Sequence, residues 1–543
     1  MGYSKSNVNH HGISFLSTAF VQLVISISLL VPLHVAASVP VGVGLTRLAD
    51  FSGSQPFVNI MKQSRPWIYK RRENGRWVNV KESPSLSEFG YPTMLGDNEF
   101  VMTRFFSNLD GHYRSGKYRF TYKGEAKFRW DGDAKVIKTK PGEVWLEIAA
   151  PKQGFGLSIS HVKVGAPLSD MDLRHETELD SKEVFTQPFI EGLSPFEIIR
   201  FMDWQRTNNS SVSTWNQRTP KQYYTQALPK GVALEYQIDL ANQLDVSGWF
   251  VIPHLADDDY VEKFAKLLNA EYRSSKPLFI EYTNEGWNSF FKQSKHLCGI
   301  GASKKLSKNP KQACARAYSE RAVEVLNLVK KHLKPEIKLV RVISGMAVSP
   351  TRTKNILEWK DAFKHVDAFA IAPYFGGTNH WKPVTKREEQ SLKKSMNQVT
   401  AQYPLPHVLK NTASFIRNIE KELKAQKAIT DQYKLKLITY EAGQHLVAYG
   451  GGKSVEATNK TFHAANRHPQ MYDIYQDYLS VWEKVVGNEI VMYNYVEKSN
   501  RFGSWGLGEY DGHLCDYPKY RAVADYIDPI AGVCSGQQAK SPK

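Results

Sequence analysis

Two glutamates, each placed directly after a short apolar run, are the residues of this sequence best suited to acid–base chemistry. Glu285 follows Asn284 in the segment P-L-F-I-E-Y-T-N-E-G-W-N (277–288), which begins as a predicted buried strand. Glu441 follows another apolar run in K-L-I-T-Y-E-A-G (436–443). Two carboxyl groups can cleave a glycosidic bond, because one gives a proton to the leaving oxygen while the other stabilises or attacks the anomeric carbon. A separation of about 5–5.5 Å between them would imply a covalent intermediate and retained configuration.

Alternating strand and helix patterns supply the scaffold that could bring these two glutamates together. Helical patterns separate the strands, as over 260–269, 315–333 and 414–426. The predicted strands are 41–50, 198–202, 247–252, 278–282, 338–343, 366–371, 436–439 and 489–493. This alternation predicts a protein of the α/β class with a (β/α)8 barrel, the TIM barrel.

Polar residues lie at or near the carboxyl ends of six of these strands. They are Arg200, His254, Glu285, Tyr374, Glu441 and Tyr495. Barrel enzymes build their active sites at that end of the strands. We therefore expect these side chains to converge on one site.

Residues 75–188 change to a period of two, which is typical of strands with one buried face. The runs 117–122 and 126–130 predict a hairpin, and further strands follow. The pattern predicts an all-β sandwich inserted between the first and second barrel strands. Its polar face would carry four basic residues, which could bind a glycan or could be an inert solvated face. They are Lys117, Arg119, Lys127 and Arg129.

The amino-terminal residues have the pattern of a secretory signal. Lys5 precedes the apolar run 20–33, and Val35-Ala36-Ala37 is a suitable cleavage site. An uncleaved anchor is the alternative, although the run is short and polar for a membrane span. We expect a secreted protein with no transmembrane segment after signal removal. The predicted division is a signal peptide at 1–37, a first strand–helix unit of the barrel at 38–74, an inserted β-sandwich at 75–188, the remainder of the barrel at 189–530 and a carboxyl-terminal tail at 531–543.

Export changes the expected state of the four cysteines, Cys298, Cys314, Cys515 and Cys534. In an oxidising compartment the simplest pairing joins neighbours in the sequence, so that Cys298 bonds Cys314 and Cys515 bonds Cys534. Four cysteines allow three pairings, so the other two remain open. The sequence contains no Cys-x-x-Cys, which argues against a zinc site, and we expect neither metal nor cofactor.

The formal net charge of +17 favours polyanionic partners. We do not expect nucleic acid as a partner of an exported protein. A β-linked glycan that is acidic or sulfated fits both export and charge, whereas a merely soluble basic surface is the alternative. We expect the protein to be a monomer.

Together these residues resemble the clan A retaining glycoside hydrolases, the group that includes cellulases, mannanases and xylanases. The resemblance covers roughly 41–74 and 190–530, and it is strongest in T-N-E-G-W-N (283–288) and I-T-Y-E-A-G (438–443). Arg200, His254 and Tyr374 match positions of family-five-like barrels. The segments 253–260 and 503–507 also resemble bacterial exported proteins labelled cellulose-binding.

The resemblance implies a role for each matching residue. Glu285 would be the acid/base, Glu441 the nucleophile, and Asn284 a donor to the 2-hydroxyl of the sugar. Arg200 and Tyr374 would hold and orient Glu441. The implied function is a secreted retaining β-glycoside hydrolase that acts on a polysaccharide or oligosaccharide.

One departure from the group concerns the last barrel strand, where a tryptophan often stacks on the sugar. Tyr493, Asn494 and Tyr495 stand there instead, and Trp505 in the following loop could supply the stacking surface. Trp287 and Trp505 could equally be packing residues. His254 could be a structural histidine, and Arg200 a salt-bridge partner within the barrel.

Other chemistries find less support in the sequence. It contains no Gly-x-Ser-x-Gly elbow and no His-Glu-x-x-His motif, and Gly42-Val-Gly44 lacks the third glycine of a dinucleotide loop. The run 257–259 (D-D-D) favours a helix start over a metal site. A non-catalytic carbohydrate-binding protein on a barrel scaffold remains the alternative function, because fold alone does not decide activity.

Overall fold

Helices alternate with parallel strands over most of the chain in this computed structural model. The structure describes residues 39–377, 404–448 and 453–529, together with Gly532 and Cys534. The predicted signal peptide at 1–37 lies outside the described residues, as does the predicted tail at 531–543 apart from those last two residues.

The described strands and helices are numbered here in chain order. The strands are β1 Val41–Gly44, β2 Ile68–Glu73, β3 Arg76–Asn79, β4 Ser85–Leu86, β5 Pro92–Met94, β6 Glu99–Phe105, β7 Gly116–Lys123, β8 Lys127–Gly132, β9 Lys135–Lys140, β10 Glu143–Ile148, β11 Phe155–Ser160, β12 Ser169–His175, β13 Ile198–Arg200, β14 Ser247–Ile252, β15 Leu278–Tyr282, β16 Leu339–Ser344, β17 Ala368–Ile371, β18 Lys436–Thr439 and β19 Ile490–Met492. The α-helices are α1 Gln187–Leu193, α2 Leu234–Leu244, α3 Asp258–Glu271, α4 Lys292–Ser303, α5 Pro310–His332, α6 Pro350–Leu357, α7 Leu405–Gln432, α8 Lys453–Arg467, α9 Gln470–Val485 and α10 Pro518–Ile527.

The largest sheet has eight strands in the order β18-β17-β16-β15-β14-β13-β1-β19. Every neighbouring pair in it is parallel. Its two outer strands also meet, because the Thr439 amide donates to the Glu489 carbonyl at 3.2 Å. The expected eight-stranded parallel barrel sheet is therefore confirmed, with the strand order that the sequence predicted.

The barrel strands have apolar side chains on both faces, which is typical of a parallel sheet that is covered on both sides. In β14, Trp249 and Val251 belong to the cluster inside the barrel, whereas Phe250 and Ile252 belong to the cluster shared with the helices. This alternation leaves room inside the barrel for only a few polar side chains. Those few belong to the site described below.

Helices at the predicted places confirm the strand–helix alternation after β13. The patterns at 260–269, 315–333 and 414–426 fall in α3, α5 and α7, apart from Leu333, the residue just after α5. At the start of α3, the Asp257 carboxylate accepts the Tyr260 amide at 2.7 Å, so the acidic run begins a helix as expected.

The first strand–helix unit, expected at 38–74, differs from the prediction. Where the sequence favoured a helix over 56–67, the structure has only a 3-10 turn at Ile60–Gln63. Strand β2 then begins at Ile68, within the unit that had been assigned to the barrel. Two prolines and a serine within this stretch of the sequence interrupt a helix here.

Between β1 and β13 the chain forms a small antiparallel sheet of β4 and β5 and two larger antiparallel sheets, in the orders β3-β2-β6-β11-β8 and β12-β7-β10-β9. The two larger sheets share an apolar cluster in which the rings of Phe120 and Trp130 lie 5.3 Å apart. The predicted hairpin of 117–122 with 126–130 is wrong, because β7 pairs with β10 and β12 while β8 pairs with β11.

That pairing also corrects the predicted single basic face. The inward side chains of β7 and β8 face each other across the shared cluster. Lys117 and Arg119 therefore lie on the outer surface of one sheet, whereas Lys127 and Arg129 lie on the outer surface of the other. The alternation of the sequence identified which residues point outward but not which strands are partners.

Both expected disulfides are present: Cys298 bonds Cys314, and Cys515 bonds Cys534. The first joins α4 to α5, the helices that follow the strand carrying Glu285. Within the described ranges, no helix combines the length and the apolar character that a membrane span requires.

Candidate active site

Glu441 lies just past the end of β18 and is held by two donors. Its Oε1 accepts Nη1 of Arg200 at 3.1 Å, and its Oε2 accepts the hydroxyl of Tyr374 at 2.8 Å. The side chain is nearly buried, at 6% exposure. A charged and a neutral donor on one carboxyl group favour its ionised form. These two donors are the residues that the resemblance implies as partners of Glu441, and their roles stay a prediction.

Glu285 occupies a different environment three residues past the end of β15. Its Oε1 accepts the Tyr440 hydroxyl at 3.2 Å, and its Oε2 accepts Nδ2 of Asn288 at 3.1 Å. No cation contacts this carboxyl group among the described residues. Its backbone has a φ of 43°, in the left-handed region that non-glycine residues rarely adopt and that is enriched at functional sites.

Burial raises the pKa of both carboxyl groups, and the charge of Glu285 raises the pKa of Glu441 further. Two such groups in one buried site hold a single proton over a wide pH range. Arg200 lowers the pKa of Glu441 and contacts it directly. The contact with the Arg200 guanidinium favours the ionised form of Glu441, whereas Glu285 has only neutral contacts.

Arg200 connects the pair to the barrel interior. Its Nη2 donates to Glu281 at 2.9 Å and to the Asn284 side-chain oxygen at 2.8 Å. Trp249 Nε1 donates to the same oxygen of Glu281 at 3.1 Å. Arg200 and Glu281 are 1% and 0% exposed, so the guanidinium neutralises two carboxylates out of contact with water. This arrangement fixes Glu441 and Asn284 relative to each other.

We expect the substitution Arg200→Met to destabilise the fold by about 3–5 kcal/mol, because it leaves buried carboxylates without a counter-ion. Denaturant unfolding followed by tryptophan fluorescence measures the loss. The matched control is Arg71→Met, which breaks the exposed pair of Arg71 with Glu99 and should cost much less. Wild-type stability in Arg200→Met would contradict the description of this network.

A cleft of about 1310 Å³ opens above the pair. Sites for small ligands usually measure about 300–1,000 Å³, so this one has room for an extended substrate. Its lining is mostly apolar and aromatic, with polar groups at intervals. The described lining includes Met202, Asn208, Asn284, Glu285, Trp287, Phe290, Tyr374, Glu441, His445, Lys460, Tyr493, Arg501, Phe502 and Trp505.

Four of the seven predicted substrate-binding residues line this cleft beside the glutamates: Asn284, Trp287, Tyr374 and Trp505. Asn284 donates from Nδ2 to Asn208 at 2.9 Å, which leaves one amide hydrogen for a ligand. Trp505 lies edge-on to Tyr374, with ring centres 5.5 Å apart. Trp287 also lines the cleft, and its indole nitrogen has no partner among the described residues.

The other three, Arg200, His254 and Tyr495, do not line the cleft, and Arg200 instead binds Glu441 from within the barrel. His254 is 5% exposed, and burial lowers its pKa to about 4. Its ring lies against that of His296, with 5.5 Å between the ring centres, and His254 is not among the residues that line the cleft. Tyr495 is 1% exposed and packs against Phe189 in the layer between barrel and helices. For His254 and Tyr495, a position near a strand end predicts the correct end of the barrel but not the direction of the side chain.

The structure adds residues that the sequence reasoning missed. Tyr440 and Tyr493 contribute hydroxyl groups inside the barrel, where Tyr440 contacts Glu285 and Tyr493 donates to Asp203 at 3.0 Å. Glu281, the counter-ion of Arg200, lies within the apolar run before Glu285. A charged residue inside a predicted buried strand was the available signal, because such a group needs a partner.

Comparisons with known proteins find only distant similarity. No protein-family model matches the sequence, and no curated protein matches it. The arabinofuranosidase of glycoside hydrolase family GH51 from Xanthomonas axonopodis pv. citri aligns at 12% identity and a TM-score of 0.38, over 59% of this chain and 62% of its own. The CBM22-1–GH10 modules of an endo-1,4-β-D-xylanase from Clostridium thermocellum align at 11% identity and a TM-score of 0.38, over 87% of this chain and 97% of theirs.

A third solved structure, the GH5 xyloglucanase of Bacteroides ovatus in complex with a heptasaccharide, aligns at 7% identity and a TM-score of 0.32. It covers 79% of this chain and 96% of its own. The alignment with the arabinofuranosidase covers 62% of that protein, so this chain spans less than two thirds of its length. Similarity this low does not establish a family, and function must be inferred from the site itself.

Proposed function

We propose that the protein is a retaining β-glycoside hydrolase of the clan A type, which cleaves a polysaccharide or oligosaccharide by double displacement. The observation that carries the proposal is the contrast between two carboxyl groups that line one cleft. Glu441 is bound by a cation and a phenol, whereas Glu285 is bound only by neutral groups. One glutamate suited to attack and one suited to give a proton are the two parts that this reaction requires.

In the first step, an oxygen of Glu441 attacks the anomeric carbon and forms a glycosyl ester. The bond from that carbon to the leaving oxygen breaks, and Glu285 gives its proton to that oxygen. In the second step, Glu285 accepts a proton from water while the water oxygen attacks the same carbon. Glu441 leaves with the electron pair of the ester bond. Both glutamates thereby return to their starting states, and two inversions give net retention.

The residues around Glu441 support this cycle. Arg200 and Tyr374 keep Glu441 oriented before attack, and Asn284 has an amide hydrogen for a sugar hydroxyl. The aromatic side chains Trp287 and Trp505 offer faces and edges for sugar rings. The exposed aromatic Phe290, at 83% exposure, extends this lining outward.

We further propose export from the cell and a modular organisation. Disulfides such as Cys298–Cys314 form and persist in oxidising compartments. The two larger antiparallel sheets from β2 to β12 are assigned as an inserted β-sandwich that begins near Ile68 rather than at residue 75. The inserted unit is a candidate glycan-binding module, a role tested by the retention of a variant that lacks it.

A panel of β-glucans, β-mannans, β-xylans and uronic or sulfated β-glycans tests the proposal. Reducing ends should appear on at least one substrate, and NMR of the early product should show the β-anomer first. Initial release of the α-anomer would contradict the retaining mechanism. Retention in affinity gels without any release of reducing ends would instead indicate a non-catalytic binding protein.

A further inference from the structure

The loop after β19 carries Trp505, whose ring lies among aromatic side chains of the cleft. The ring centres of Tyr374 and Tyr493 are 5.5 and 5.6 Å from that of Trp505, and the ring centre of His445 is 5.1 Å away. Trp505 is partly exposed and lines the cleft, so part of its ring is open to a ligand. Tyr374 in turn donates to Glu441 at 2.8 Å. The position of this indole therefore affects the space beside the proposed nucleophile.

The peptide group that precedes Trp505 is fixed by two buried side chains. The Ser504 carbonyl accepts Nε2 of Gln444 and Nζ of Lys519, each at 2.7 Å. Ser504, Gln444 and Lys519 are 2%, 2% and 4% exposed. These bonds join the loop both to the segment after β18 and to the first turn of α10. The peptide group that follows Trp505 is held as well, because the Asn494 amide donates to the Trp505 carbonyl at 2.9 Å.

Lys519 is a buried lysine without a carboxylate partner. Within the described part of the chain its amine forms no ion pair and no hydrogen bond other than the one to Ser504. The Glu509 carboxylate, whose charge favours the ammonium form, is bound instead by Arg467 at 2.6 and 2.8 Å. Burial lowers the pKa of Lys519 to about 7, and the amine can donate a hydrogen bond in either protonation state.

Burial of an amine is costly unless its hydrogen bonds are satisfied. An apolar side chain at position 519 would fill the same space without that cost. The contact that distinguishes Lys519 from such a side chain is its bond to the loop that carries Trp505. This observation indicates that the amine serves the loop rather than the packing of α10.

We propose that Lys519 is a positioning residue for sugar binding, which acts together with Gln444 on the Ser504 carbonyl and keeps the indole of Trp505 in place beside Tyr374. Bonds to the adjoining peptide group limit rotation of the backbone that carries the ring. The ring then binds a sugar without first losing that freedom, which favours binding. This inference rests on the proposed glycosidase function, because it concerns how the same cleft binds its substrate.

Fluorine NMR tests the positioning without any ligand. The protein is labelled with 5-fluorotryptophan, and the resonance of Trp505 is identified by its absence in Trp505→Phe. Lys519→Met, which keeps a long unbranched side chain but has no donor, should shift or broaden that resonance. The matched control is Lys62→Met, which should leave it unchanged. Nζ of Lys62 also donates to a backbone carbonyl, that of Tyr223 at 2.8 Å, but Lys62 lies in the 3-10 turn before β2.

Binding in a Glu441→Gln background shows whether Lys519 acts through Trp505. Calorimetry gives the Kd for cellohexaose, xylohexaose and mannohexaose, and the tightest of the three ligands is used. Lys519→Met should raise this Kd by about three- to tenfold, and Trp505→Ala should raise it by about tenfold or more. When Trp505 is already alanine, Lys519→Met should add less than about twofold, because the ring that it positions is gone. A general effect on stability would add in full.

Gln444→Met removes the other donor and should also move the Trp505 resonance, so it tests the same peptide group if Lys519→Met does not fold. An unchanged Trp505 resonance in the folded variants would overturn the proposal. A Kd that Lys519→Met leaves unchanged, or raises equally with and without Trp505, would overturn it too. If no hexasaccharide binds, the fluorine resonance decides alone. Failure of the glycosidase proposal looks different, because the effects of Lys519→Met would persist while the wild-type protein releases no reducing ends.

Discussion

The substitution Glu441→Ala is expected to lower kcat by a factor of about 10⁴ or more, the scale seen when a covalent nucleophile is removed. Without this carboxylate, the proposed mechanism has no group that forms the glycosyl ester. Arg200 still pairs with Glu281 when the Glu441 carboxylate is removed, so the fold should survive. Initial rates on the best substrate of the glycan panel, together with a thermal unfolding curve, measure both effects.

Added azide distinguishes the loss of the nucleophilic carboxylate from a general loss of folded protein. In Glu441→Ala the anion can occupy the space of the missing carboxylate and attack the anomeric carbon once. An activated aryl β-glycoside should then give an α-glycosyl azide, identified by NMR. The control Glu262→Ala, on the outer helix α3, should behave as wild type and give no azide product. Full activity in Glu441→Ala would contradict the assignment of Glu441 as the nucleophile.

The second large effect is expected for Glu285→Gln, which should lower kcat/KM on natural glycans by about 10²–10⁴-fold. The amide cannot protonate the leaving oxygen, although its size and two of its contacts are preserved. Aryl glycosides with very acidic phenols need little protonation, so their first step should remain fast. A burst of released phenol followed by slow turnover would be the signature in stopped-flow measurements.

The pH profile of the same variant supplies a further check. In the wild type, activity should fall at high pH because Glu285, whose pKa is raised by burial, loses the proton that it donates. It should fall at low pH because Glu441 gains a proton and can no longer attack. Glu285→Gln should remove only the high-pH limb. Retention of both limbs would show that a different group is the acid.

Much of the fold followed from the sequence because the barrel strands are unambiguous. Apolar runs such as those before Glu285 and Glu441 could only be buried, and helices of regular period separate them. In a parallel barrel each strand pairs with the strands next to it along the chain. The order of the strands in the sequence therefore also predicted which strands are neighbours. That Tyr374 and Arg200 would contact Glu441 was an implication of the resemblance to clan A hydrolases, and the order of the strands alone did not predict it.

The pairing of the antiparallel strands and the directions of several side chains could not be predicted, because the periodicity of a sequence does not encode them. Strands β7 and β8 alternate like a hairpin, yet they pair in different sheets because later strands compete for their edges. His254 and Tyr495 follow barrel strands, yet neither lines the cleft, and Tyr495 packs in the layer between barrel and helices. Glu281 was hidden in an apolar run, although a buried carboxylate implies a buried cation.

The hydrogen-bond network around Arg200 connects the two proposed catalytic glutamates. Its guanidinium binds the proposed nucleophile and the residue preceding the proposed acid, so one buried cation positions both. Its own position is fixed by Glu281 and Trp249. Substitutions at Glu281 should therefore affect catalysis without contact with substrate, through the orientation of Arg200.

Trapping of the covalent intermediate tests the central claim most directly. The wild-type protein is incubated with a 2-deoxy-2-fluoro-β-glycosyl fluoride of the sugar that it cleaves, and its peptides are analysed by mass spectrometry. The mechanism predicts one added fluorosugar on the peptide that contains Glu441, with loss of activity in parallel. A label on Glu285 or on another residue, or full inactivation without any label, would contradict it.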